Sequence, residues 1–400
     1  MTVTSDHQRV RAVNPSTHPQ SEDEPTAWPT GAWRQGLPQG SRHSLDIGSL
    51  RLEAGGALPQ VRVAYETWGT LNAARDNAIL VEHALTGDSH VSGAAGAGHP
   101  TPGWWDGLIG PGCPLDTNRW FVVASNVLGG CQGTTGPSSL APDGRSWGSR
   151  FPFVTIRDQV AVEAVLSDHL GIPAWGAVLG GSMGGMRALE WAVTYPERVR
   201  RCIVLACSAY ASAEQIAWCQ PQLLAIRQDA NFVGGDYYDQ PHGPDLGLGL
   251  ARRIAHVTYR SEPELDIRFG RQAQGAEQPL GGGGRYAVES YLDRHADKLA
   301  ARFDANSYVV LTESMNSHDV GRGRGGVPAA LERVTADLVV VAVDSDRLYP
   351  LRLSHEIAQA SASSDPAHVI SSLHGHDGFL IEIGQVGQIV RETLSRTRGR

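Results

Sequence analysis

The chain has 400 residues and only five cysteines. These are Cys113, Cys131, Cys202, Cys207 and Cys219, an odd set without CxxC spacing. That excludes a disulfide framework and gives no structural zinc pattern. Several lie in apolar runs, as Cys202 and Cys207 do, and read as core fillers. Cationic excess is also missing. The formal net charge is −8 and the pI about 6.0, so nothing general argues for nucleic acid as a partner. No apolar run approaches the length of a membrane span. The first residues, with Asp6, His7 and Arg9, contain no apolar signal region. His83, His318 and the acidic residues have no metal-ligand spacing, so no metal is expected. What remains is an ordinary soluble composition, 41% hydrophobic and 19% charged, and the expectation is a cytoplasmic protein.

One stretch organises what is present. Ala174 to Leu179 is a short apolar run, followed by Gly180-Gly-Ser182-Met-Gly184 and then a helical pattern through Met186, Leu189, Trp191 and Val193. Strand, G-x-S-x-G and helix in that order describe a nucleophile elbow. The serine sits on a sharp turn, and glycines at both flanks allow the close backbone approach it needs. The plainer alternative is a glycine turn with Ser182 as a helix cap.

Around it the periodicities form a regular series. Residues 1–40 are rich in Pro, Ser, Thr and charge, and are expected to be a disordered arm. Ser44–Glu53 and Gln60–Gly69 alternate with period two, as half-buried antiparallel strands do. Asn77–Gly87, Trp120–Gly130, Val199–Ser208 and Asp337–Asp344 are continuous apolar runs that suit strands buried on both faces. His368–Gly375 is expected as a last strand. Thr155–Leu170, Pro350–Ala360 and Phe379–Leu394 read as helices. Residues 209–317 carry four helical patterns, Glu214–Gln228, Leu246–Tyr259, Tyr286–Leu299 and Ala305–Met315, joined by loops. The expectation is a mostly parallel α/β core of 41–208 and 318–400, with helices on both faces and a helical lid of 209–317.

A serine hydroxyl needs a base, and that base needs an acid to hold it. In α/β-hydrolase folds these come after the serine in the order acid, histidine, each beyond a core strand. Here the strand ending at Val343 leads into Asp344-Ser-Asp346, and the last strand leads into His374-Gly-His376. The loop from Gly375 to Gly378 frees His376 to turn inward, which favours it over His374. Spacing leaves the choice between Asp344 and Asp346 open. The backbone N–H of Met183, and that of Leu85 after the Asn77–Glu82 run, are the candidate oxyanion donors. Gly181 and Gly185 are expected to leave room for an acyl chain. Gly321-Arg-Gly-Arg-Gly-Gly326 lacks the features of a phosphate loop and reads as a flexible connection. A further expectation places Arg322 and Arg324 on phosphates of a donor.

Four blocks together resemble the homoserine O-acetyltransferases, members of the α/β-hydrolase superfamily. They are His83–Gly87, Asn126–Ser139, Gly180–Met186 and Gly375–Phe379, with Leu250–Arg260 and Arg285–Leu292 adding to them. The resemblance covers about Ser44 to Leu394. The family's acid precedes a variable residue, a leucine and an aromatic, and Asp346-Arg-Leu-Tyr349 fits that pattern. The resemblance therefore implies a Ser182–Asp346–His376 triad. It implies ping-pong transfer of acetyl from acetyl-CoA to the hydroxyl of L-homoserine, in methionine biosynthesis. Arg252 and Asp377 would hold the carboxylate and ammonium of the acceptor. No permanent cofactor, no metal, a homodimer in the cytoplasm and no membrane association are implied as well. A homoserine or serine O-succinyltransferase, or a serine esterase of the same fold, would share the chemistry. A catalytically silent binding protein would not need an intact triad.

Overall fold

The computed structural model describes residues 28–396. Its centre is an eight-stranded sheet in the order β1-β2-β6-β3-β7-β8-β9-β10. These are β1 (His43–Arg51), β2 (Ala57–Trp68), β3 (Ala78–Glu82), β6 (Phe121–Ser125), β7 (Ala177–Gly181), β8 (Arg201–Leu205), β9 (Asp337–Val343) and β10 (His368–Ile370). A separate two-stranded ladder pairs β4 (Ile109–Gly110) with β5 (Leu115–Asp116). β1 and β2, and β2 and β6, pair antiparallel; every later neighbour is parallel. β3 and β7 are buried at every position, as continuous apolar runs demand when helices cover both faces. α1 (Ile156–His169) and α2 (Met183–Thr194) pack against one another, and α9 (Leu351–Ala360) and α11 (Ile383–Ser395) complete the core.

The insertion between β8 and β9 contains α3 (Ala213–Arg227), α4 (Asp245–Tyr259), α5 (Glu262–Phe269), α6 (Ala287–Ala300) and α7 (Ala305–Asn316), with α8 (Val327–Leu331) leading back to the sheet. Four of the five insertion helices coincide with the periodic stretches. The link read as a loop contains α5, which Ser261 caps by accepting from Glu264 N–H at 3.2 Å.

Three other expectations change. The disordered arm, where it falls on 1–27, lies outside the described residues. Residues 28–33 are packed: Trp33 N–H donates to Cys131 O at 2.9 Å, Gly31 N–H to Phe303 O at 3.2 Å, and Ala32 is buried, while residues 34–40 are exposed. The last strand stops at Ile370 rather than Gly375. Gln385 Oε1 takes the Ser371 N–H and Asp344 Oδ1 takes the Ser372 N–H, so side chains replace the ladder there. The closing helix is split at Glu382, between α10 (Gly378–Ile381) and α11. Among the described residues, no helix is long and apolar enough to cross a membrane.

Beneath the elbow lies a charged knot. Arg187 on α2 is fully buried, with Nη1 2.6 Å from Glu163 Oε1 and 2.7 Å from Glu82 Oε2. The hydrogen bond of Nη1 goes to Glu163, so the Glu82 contact is Coulombic. Burial, opposed by Arg187 and reinforced by the nearby Glu163, pushes the Glu82 carboxyl well up. Ser125 Oγ and Trp191 Nε1 donate to Glu163 as well. Arg187→Met is expected to destabilise the fold by about 3–5 kcal/mol, because a buried carboxylate loses its counter-charge. Urea unfolding measures this. Adding Glu163→Gln should recover part of the loss; a single variant within about 1 kcal/mol of wild type would contradict the ionic reading.

Candidate active site

The site forms where β3, β7, β9 and β10 end, on one edge of the sheet. This is the crevice in which open parallel sheets bind ligands. Ser182 comes directly after β7 and has φ 57° and ψ −124°. That backbone region is costly for a residue with a Cβ, and packing on both sides enforces it. A Cβ on Gly184 would lie 2.1 Å from Glu82 O, and one on Gly180 would lie 2.6 Å from the Gly184 carbonyl carbon. The serine caps nothing, which removes the plainer helix-cap reading. As the first residue of α2, Met183 has an N–H without a helical acceptor.

The acid and the histidine meet as expected. His376 Nδ1 is 2.7 Å from Asp346 Oδ2, and both residues are buried. Asp346 Oδ1 accepts the N–H groups of Leu348 and Tyr349 at 2.9 and 2.8 Å, which holds the carboxylate in place. Burial drives the His376 pKa down. The charge and hydrogen bond of Asp346, with Asp377 behind them, outweigh burial and hold it above the ordinary 6.5. Asp344 is exposed and engages Ser372 N–H, and His374 pairs with Glu264 at 3.0 Å, so neither alternative enters the site.

Ser182 lines a small cavity together with Leu85, Met186, Trp218, Tyr259, Met315 and Tyr349. The His376 ring stacks on Tyr349 at 5.0 Å and leans on Tyr259 at 5.8 Å, two of these walls. Ser182 Oγ has no hydrogen-bond partner among the described residues. Serine–histidine bonds are commonly loose before substrate tightens the site.

Arg252 on α4 reaches the loop after β3, with Nη1 3.4 Å from Thr86 Oγ1 and its buried Nε without a hydrogen-bond partner among the described residues. Asp377 Oδ2 is 3.2 Å from Arg260 Nη2. Burial raises the Asp377 carboxyl, against the opposing pull of Arg260, His376 and Arg252. Sequence reasoning missed Arg260, Arg302, Trp218, Tyr259 and Tyr349 as parts of the site. Arg302 Nη1 donates to Thr86 O at 2.9 Å. Helical spacing cannot say which insertion residues turn toward the sheet.

Two expectations are corrected. A Cβ on Gly181 would lie 2.3 Å from the Phe379 ring, and one on Gly185 would lie 2.7 Å from Cys207 Cβ. These glycines admit protein neighbours, not an acyl chain. Arg322 is paired with Glu53 at 2.9 Å at the surface and Arg324 with the buried Glu190 at 2.6 Å, which leaves the donor's phosphates unassigned. One cluster has no spacing in the sequence to announce it: Glu66, His90 and His99 bring ligand atoms within 4.8 Å of one another. The two rings stack at 3.9 Å and 14°, which puts their lone pairs in parallel planes rather than on one ion. They act as a hydrogen-bonded support, with His90 Nδ1 3.0 Å from Glu66 Oε2.

An elbow serine, with an acid–histidine pair at the carboxyl ends of later strands, defines the class of α/β-hydrolase folds. Residues 77–382 match the family model described as alpha/beta hydrolase fold. Within that class the chain belongs to the homoserine O-acetyltransferase family. The homoserine O-acetyltransferase of Thermobifida fusca is 63% identical over 369 residues, covering 92% of this chain and 97% of that protein. The crystal structure of homoserine O-acetyltransferase from Bacillus anthracis superposes with a TM-score of 0.82 at 29% identity, covering 90% of this chain and 98% of that one. Esterase E22 superposes with a TM-score of 0.80 at 28% identity, covering 88% and 99%. One fold thus serves transfer and hydrolysis among its neighbours.

Proposed function

We propose that this enzyme moves an acetyl group from acetyl-CoA to the side-chain hydroxyl of L-homoserine through an acetyl-serine intermediate, a step of methionine biosynthesis. Ser182 Oγ attacks the thioester carbonyl carbon and gives its proton to His376 Nε2. The oxyanion is met by the N–H groups of Met183 and Leu85. Collapse breaks the carbon–sulfur bond, and the departing thiolate takes the proton from His376. The homoserine hydroxyl then attacks the serine ester and passes its proton to His376, and collapse returns that proton to Ser182 as O-acetylhomoserine leaves. Arg252 meets the acceptor's carboxylate. Asp377, bound to Arg260 through Oδ2, turns Oδ1 to the ammonium. The mechanism calls on no metal or permanent cofactor. By family resemblance the reading extends to a cytoplasmic homodimer.

The observation that carries the acetyl reading is the wall of the cavity. Its lining, from Leu85 and Met186 to Trp218, Leu348 and Tyr349, includes no lysine or arginine. The methyl of an acetyl group suits that surface. A succinyl group would bring a distal carboxylate against this wall, where none of the lining residues is cationic. The test tracks free thiol from acetyl-CoA or succinyl-CoA, with and without L-homoserine or L-serine. Turnover that needs acetyl-CoA and L-homoserine together is the expected result. Continued acceptor-independent release, beyond the one equivalent that acylates Ser182, would make the protein an esterase, and silence under every condition would overturn the reading. Arg252→Leu should raise the KM for L-homoserine by roughly 10- to 100-fold, and far more than that for acetyl-CoA, as loss of one charged hydrogen-bonding partner predicts.

A further inference from the structure

His83 lies between the last residue of β3 and Leu85, belongs to no triad, and is 2% exposed. Burial, aided by the Arg187 charge, lowers its pKa to about 3, so the ring is neutral at any working pH. A neutral imidazole has one N–H and one lone pair. Nε2 lies 3.1 Å from the backbone N–H of Val127, and a backbone N–H can only donate. Nε2 is therefore the acceptor, and the proton is on Nδ1. That N–H donates to Ala84 O at 2.8 Å.

Ala84 C=O and Leu85 N–H are two ends of one planar trans peptide, so they point in opposite directions. A hold on the carbonyl aims the N–H. Gly87 N–H also donates to Ala84 O, at 2.9 Å. The preceding peptide is held too: Arg187 Nη2, from the helix that begins just after Ser182, donates to His83 O at 2.8 Å. Leu85 N–H has no acceptor among the described residues. We propose that His83 is a positioning residue that aims the Leu85 N–H at the oxyanion, through the Ala84 carbonyl. The proposal rests on the reading of Leu85 as an oxyanion donor.

Two variants separate this role from plain packing. In His83→Asn the side-chain amide reaches the place of Nδ1 and can still donate to Ala84 O. In His83→Gln the longer amide reaches the place of Nε2, keeping the Val127 contact and losing the Ala84 one. The readouts are the kcat and KM for thiol release from acetyl-CoA, per active site titrated with a serine-directed fluorophosphonate, and the Kd of a trifluoromethyl-ketone analogue of the donor. His83→Asn should stay within about tenfold of wild type in kcat. His83→Gln should lose about 10²- to 10³-fold in kcat, the worth of one oxyanion donor, with KM little changed and the analogue weakened in parallel. Equal effects of the two variants, a larger loss in His83→Asn, or a loss confined to KM would overturn the proposal. Wild-type protein that releases no thiol would instead overturn the acetyltransfer reading, so the two failures are distinguishable. Titration per active site keeps a poorly folding variant measurable.

Discussion

Ser182→Ala should lower acetyl transfer by about 10⁶-fold in kcat, the scale on which loss of a triad nucleophile acts. The expected residue of activity is what oxyanion donors and substrate binding supply without a nucleophile, about 10³- to 10⁴-fold over the uncatalysed reaction. The fold should not change. The Ser182 side chain caps no helix and makes no hydrogen bond among the described residues, and alanine meets the same backbone strain at φ 57°. Stopped-flow thiol release, with mass spectrometry of the peptide that contains residue 182, reads both halves of the claim. The wild-type peptide should gain an acetyl group from acetyl-CoA in the absence of acceptor, and the variant peptide should not. Near-normal turnover, or an acetyl group on another residue, would remove the elbow from the mechanism.

The elbow, the strand series and the acid–histidine pair could be read from the sequence because each is written in local terms. β3, β7, β8 and β9 are uninterrupted apolar runs, buried on both faces in the fold as that pattern requires. His376 is separable from His374 by its glycine flanks, and the structure accounts for the choice through the Glu264 partner of His374. The position of Asp346 is not written locally. Asp344 and Asp346 are both plausible turn acids past the same strand, and the Leu348 and Tyr349 N–H groups that hold Asp346 become visible only once the turn is built. The glycines mislead for a related reason. Gly181 and Gly185 face Phe379 and Cys207, residues nearly two hundred and about twenty positions away in the chain, and no pattern in the sequence says which neighbour fills the space. Arg322 and Arg324 look free in a glycine loop, but Glu53 and Glu190 reach them from distant elements. Partners that are far apart in sequence account for most of what was missed.

Asp346→Asn is expected to lower kcat by about 10⁴-fold, because it sets the wrong tautomer of His376. The two N–H groups at Oδ1 decide this. They donate at 2.9 and 2.8 Å, so an asparagine keeps its carbonyl oxygen toward Leu348 and Tyr349 and turns its NH₂ toward His376 Nδ1. Nδ1 must then accept, the ring proton moves to Nε2, and Nε2 can no longer take the proton of Ser182. The pH profile should move as well, in a direction set by the balance of charge and burial at the ring. In the wild type Asp346 outweighs burial and holds the His376 pKa above 6.5. Activity needs the neutral ring, so kcat/KM should rise with pH through a limb above 6.5. Without the carboxylate, burial is the stronger influence and the limb should shift to lower pH while the plateau falls. Asp344→Asn is the control: its carboxylate is exposed and, among the described residues, meets only Ser372 N–H, so the plateau and limb should remain. A pH–rate profile of the three proteins decides the matter. An Asp346→Asn plateau close to wild type would show that His376 is oriented by something other than this carboxylate. A limb that stayed in place while the plateau fell would leave Asp346 a tautomer-setting role without the electrostatic one.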